Sequence, residues 1–199
     1  MEHQPNIPEA VDADSAEFEY EEEFDGTDPL STVSPPLIPT PINWHLLRSH
    51  EAEEEWLDLN RWVNQLRETY GLPASVVPPF WYRHPELVWE LSALHTHWLC
   101  SYDREQDGSG PIAWHTDFAL ARERLREWVA TCGTRLDRDR PTRQTTWPGE
   151  APQPPIEDEV IPDRQADFLA FVAADAARRA RIEDDVIAAA DAARKRKSR

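Results

Sequence analysis

The chain has 199 residues, of which 30% are charged, and a formal net charge of −17. Such an acidic balance argues against general binding of nucleic acid or anionic membranes by the whole chain, although a local basic site remains compatible with it. The sequence lacks an apolar leader and any run of about twenty apolar residues, so it reads as cytoplasmic, non-membrane and reduced at both cysteines, Cys100 and Cys132.

Residues 1–41 hold eleven acids, seven prolines and no Lys or Arg. That composition cannot bury enough apolar surface to offset its ordering entropy, and a disordered acidic arm is expected. Phe18, Tyr20 and Phe24 sit among its acids, an arrangement found in short linear motifs that fold onto a partner as well as in solubilising tails.

A first helix is expected from Trp44 to Tyr70, with Asn43 as N-cap and Gly71 placed to end it. Ala52, Trp56, Leu59, Val63, Leu66 and Tyr70 are spaced alternately four and three apart, a seam that packs against another helix. Pro78, Pro79 and Pro85 then stiffen a non-helical entry, and Pro85 suits the first turn of a second helix. Leu87, Leu91, Leu94, Trp98 and Tyr102 share one face of that helix. The breaker DGSGP leads into a third helix over about 111–131, with Trp114, Phe118, Ala121, Leu125 and Trp128 on its apolar face and Gly133 beyond its end.

Residues 134–162 read as a Pro-rich linker carrying a stranded Trp147. Residues 163–199 read as one Ala-rich, charged helix with a basic end, projecting from the core or lying on a partner or a second copy of itself. The expected fold is all-α: a three-helix core over 42–133 between an acidic arm and a linker with a long C-terminal helix.

Trp81 to Pro85 (W-Y-R-H-P), Leu91 to Leu94 (L-x-A-L), Gly110 to His115 (G-P-x-x-W-H) and Arg124 to Val129 (R-L-x-x-W-V) together resemble a family of small actinobacterial proteins of unknown function. Members are often encoded on plasmids and other integrated mobile elements. The resemblance spans roughly residues 44–133. It implies a helical domain in a mobile-element setting and carries no catalytic residues.

Three kinds of chemistry have candidate residues in the sequence. His95, His97 and Cys100 are the nearest thing to a metal site, with His84 and His115 close in the pattern. His95 and His97 lie about 200° apart on a helix, and two ligands from His97 and Cys100 fall short of a structural zinc site. No metal and no cofactor are therefore expected. Glu90, His84 and His115 would have to meet for acid–base work, and no nucleophile motif or phosphate loop accompanies them, so the chain reads as a non-enzyme. A basic stripe of Arg122, Arg124, Arg126, Arg135, Arg138, Arg140 and Arg143, with Lys195, Arg196, Lys197 and Arg199 at the end, offers an accessory DNA-binding alternative.

The leading expectation is an interaction module for a protein partner. Its surface would be Trp81, Tyr82, Arg83, His84, Trp114 and His115, residue types suited to recognition hot spots. The same six residues could equally be core. Self-association through the C-terminal helix is the other partner expectation.

Overall fold

Each helix boundary follows from a local signal. The structure, a computed structural model, describes residues 39–153 and 155–197. Helix α1 spans Ser49–Tyr70, where the Glu51 carboxylate accepts the Arg48 backbone N–H at 2.8 Å. It ends at Gly71, whose φ of 57° is the left-handed cap that favours glycine. Its start lies later than Asn43, because the Asn43 side chain accepts the His45 N–H at 3.1 Å and closes a turn instead. Trp44 leaves that turn buried, its ring 4.3 Å from Trp56. The expected seam faces inward at Ala52, Trp56, Leu59, Val63 and Leu66.

A short 3₁₀ turn, Trp81–Arg83, precedes helix α2, Pro85–Ser101. His84 between them is extended, as a residue before proline prefers. Helix α3, Ser109–Cys132, opens on Asp107, whose carboxylate accepts the Ser109 N–H at 2.8 Å. It buries Trp114, Phe118, Ala121 and Leu125. Trp128, expected on the same face, is 43% exposed, and the neighbouring Val129 packs on the core in its place.

The segment read as a linker is not merely a tether. Strand β1, Arg138–Asp139, pairs antiparallel with β2, Glu159–Val160, and places Asp139 and Ile161 in the interior. The core thus extends beyond residue 133. Helix α4, Arg164–Lys197, starts on an Asp163 cap that accepts two backbone N–H groups. Its first half lies on α1: Phe168 and Val172 are buried, and Phe171 meets Trp56 edge to face at 5.2 Å. Trp56 Nε1 donates to Asp175, and the Ser49 N–H to Glu183. Helix neighbours therefore run α3, α2, α1, α4.

From Asp184 onward every described residue of α4 is exposed, so only this distal half projects as expected. Among the described residues the fold is all-α apart from the two-strand ribbon. No helix among the described residues is long and apolar enough to cross a membrane. The acidic arm expected over 1–41, with Phe18, Tyr20 and Phe24, lies outside the described residues except for its last three positions, as does Arg199.

Candidate functional site

The two prolines at 78 and 79 and the third at 85 bracket the Trp81–His84 turn, and its side chains point inward. Trp81 and Tyr82 are 1% exposed, and His84 and Trp114 are 0%. Four of the six residues expected to form an aromatic recognition surface are therefore core. The reason is packing: Trp81 lies 6.2 Å from Trp56, Tyr82 5.0 Å from Phe168, and Trp114 stacks on Phe118 at 4.7 Å. Aromatic rings bury more area than any other side chains, and a small helical core uses them first. Of the remaining two, Arg83 is half-buried, while His115 is exposed and bonded to the Tyr70 hydroxyl at 3.2 Å.

Arg83 is the hub of a polar tie to α4 and β2. Its Nε donates to Asp167 Oδ2 at 2.9 Å and Nη2 to Asp167 Oδ1, a two-pronged pair, while Nη1 donates to Glu159 at 2.6 Å. The Tyr82 hydroxyl donates to the same Asp167 at 2.6 Å. Burial and the Asp167 carboxylate push the Tyr82 phenol well above its usual range. Burial by itself would raise the Asp167 carboxyl. The bonds from Arg83 and Tyr82 outweigh it and hold that carboxyl below its usual value.

Beside this tie lies a buried polar cluster. His84 Nε2 donates to Asp139 Oδ1 at 2.8 Å, and Nδ1 donates to the Thr142 hydroxyl at 3.0 Å. Thr142 in turn donates to Glu86. The Cys132 thiol is 1% exposed and donates to the Val129 carbonyl. Burial is the largest influence on His84 and opposes its charge. Hydrogen bonds to Asp139 and Cys132 more than offset that and lift its pKa to about 9. The imidazole therefore carries both ring protons at neutral pH. Asp139 titrates below its ordinary value: burial raises it, and His84 brings it down further.

The other sequence candidates disperse. His95 stacks on Trp62 at 4.8 Å, His97 bonds Asp117 at 3.0 Å, and Cys100 turns to the Pro39 carbonyl. Burial lowers the His95 pKa, so its ring is neutral. Glu90 pairs with Arg124 at 2.6 Å, while His84 and His115 have the partners described above. The arginine stripe is largely neutralised. Besides Arg124, Arg126 pairs with Glu123, Arg138 with Asp137, and Arg140 approaches Asp158 at 4.0 Å. Arg122 is half-buried and Arg135 exposed. Lys195, Arg196 and Lys197 ride on the tip of α4.

No protein-family model, curated protein or solved structure matches the chain. The surface itself is then the guide. The largest apolar side chains on the projecting half of α4 are Val186 and Ile187, 63% and 60% exposed, and Ile182, 51% exposed, lies just before it. The sequence pattern placed the working surface elsewhere, at the Trp81 turn and Trp114–His115. The roles of Asp139, Thr142 and Asp167 are not legible in the sequence, since each sits in a polar stretch whose other residues look the same and no motif sets it apart.

Proposed function

We propose that the chain is a non-enzymatic helical interaction module of the plasmid-type, mobile-element kind that its motifs resemble, and that the projecting half of α4 is its working surface. One observation carries this reading. The helix continues for 14 residues past Glu183, all of them exposed, yet keeps an apolar seam. Ile182, Val186, Ala189 and Ala193 follow at spacings of four, three and four, which places them on one face.

The protein partner that fits is a second copy of the same helix, running antiparallel. Asp184 and Asp185 lie near the start of the projection, and Arg194, Lys195, Arg196 and Lys197 at its end. Antiparallel pairing brings the acids of each helix to the bases of the other, with the seam between them. Alanines in the seam allow close approach of the two backbones.

Sedimentation velocity over a wide concentration range tests the reading. The wild-type chain is expected to shift from monomer to dimer, and Val186→Asp with Ala189→Asp to remain monomeric at every concentration. Charge reversal at Asp184 and Asp185 is expected to weaken pairing, with recovery when the basic end is reversed too. A wild-type chain that stays monomeric throughout refutes the proposal.

A further inference from the structure

Beyond this surface, we propose that His84, Glu86 and Cys132 form a binding site for one zinc-class divalent cation, with Asp139 positioning His84. One ligand atom from each of the three lies within 4.8 Å of the other two. A tetrahedral ion with bonds of about 2.0–2.3 Å holds its ligands roughly 3.4–3.7 Å apart. His84 Nδ1 and Glu86 Oε1 are already 3.8 Å apart. Small side-chain rotations close the remainder.

The donor set selects the metal class. A nitrogen, a thiolate and a carboxylate oxygen suit a borderline-soft ion such as zinc, whereas calcium and magnesium take oxygen ligands. The outer shell is in place as well. Asp139 occupies Nε2 of His84 at 2.8 Å, which leaves Nδ1 as the coordinating nitrogen once the ion displaces the Nδ1 proton and the Cys132 thiol proton to solvent. A carboxylate behind a ligating histidine is the usual arrangement for fixing the ring and raising its basicity. Arg83 Nη1, 4.0 Å from Asp139, partly balances the excess negative charge of the assembled ligands.

There is also a way in. His84 and Cys132 are sealed at 0% and 1% exposure, but the Glu86 side chain is 15% exposed and Thr142 is half-buried. The Thr142 hydroxyl bridges His84 and Glu86. An entering ion takes its place between them, with the hydroxyl or a water as fourth ligand. The three ligands come from the turn before α2, the first turn of α2 and the last residue of α3. A metal there clamps the two helix ends to the β1 segment that carries Asp139.

Cobalt(II) titration of the reduced, chelator-treated full-length chain is the test. The expected result is one equivalent bound per chain, with a thiolate-to-cobalt charge-transfer band and tetrahedral visible bands, both erased by one equivalent of zinc. Cys100→Ser keeps the band and Cys132→Ser loses it. Asp139→Asn weakens zinc binding by about 10–100-fold. Glu86→Gln, at a partly exposed position that the fold tolerates, weakens zinc at least tenfold and decides the matter should Cys132→Ser fail to fold. No charge-transfer band in the wild type, a band that survives Cys132→Ser, or unchanged zinc affinity in Glu86→Gln overturns the proposal.

Discussion

Replacing Asp167 with Asn isolates the tie between the Trp81–Arg83 turn and α4. The side chains of Arg83 and Asp167 are 22% and 16% exposed, so their pair is mostly withdrawn from water. Breaking a fully buried pair costs about 3–5 kcal/mol, because one charge is left stranded. Here Arg83 keeps Glu159 at 2.6 Å, and that partner is 62% exposed. The expected loss is therefore about 2 kcal/mol, which corresponds to a Tm lower by about 4–8 °C for a chain of this size. Urea denaturation followed by tryptophan fluorescence reads it directly, since Trp56 and Trp81 sit at this junction. Glu68→Gln is the control: its pair with Arg67 is 73% and 51% exposed, and the change is expected to stay within about 0.5 kcal/mol.

The pH dependence follows from the same pair. The Asp167 carboxyl is held below its usual value in the folded chain, by Arg83 and Tyr82 acting against burial. Its unfolded value is about 3.9. The contribution is full well above that value and is lost as pH falls through the lower, folded one. The wild type and Asp167→Asn are thus expected to differ at pH 6 and to converge in strong acid. A loss under about 0.5 kcal/mol at pH 6, or a gap that persists in strong acid, refutes the assignment of the tie.

Removing residues 185–199 is expected to leave Tm unchanged within about 1 °C, because every described residue of that half of α4 is exposed; differential scanning calorimetry at low protein concentration checks it. Gly133→Ala is expected to cost about 1–2 kcal/mol in urea, since Gly133 has φ of 80° and an added Cβ would meet the Arg140 guanidinium at 2.6 Å. Trp114→Ala is expected to cost about 3–5 kcal/mol. Trp114→Phe should cost under about 1.5 kcal/mol, because the Trp114 Nε1–H finds no hydrogen-bond partner among the described residues and the change removes it. Chemical denaturation of the pair separates ring packing from the polar group.

Helix existence was legible wherever a local signal and a long apolar period coincided. Gly71, Pro85 and Gly133 mark their boundaries in the structure as their chemistry requires. Asn43 misled because an Asx turn and a helix N-cap draw on the same side-chain chemistry, and only the chain that follows distinguishes them. Residues 138–161 were illegible for a different reason. Two-residue strands have no period, and one buried acid with one isoleucine leaves no trace in composition. The Tyr and Trp content of the Trp81 turn fits a recognition surface and a core equally well, and burial alone decides between them. Cys132 and His84 come together only through the packing of α3 on α2, across 48 positions of chain, so no motif spacing could have paired them.

The seating of α4 on α1 has a consequence for biosynthesis. Trp56 and Asp175 are 119 positions apart, and Ser49 and Glu183 are 134 apart. These are among the longest-range bonds in the protein, and loop closure on that scale slows folding. A nascent chain emerging from the ribosome has α1, α2 and α3 available long before the helix that covers Trp56 and Tyr82. Until Phe168 and Phe171 arrive, that aromatic face is uncovered. Synthesis of the first half of α4 is thus the step that closes the aromatic face of α1 and the Trp81 turn.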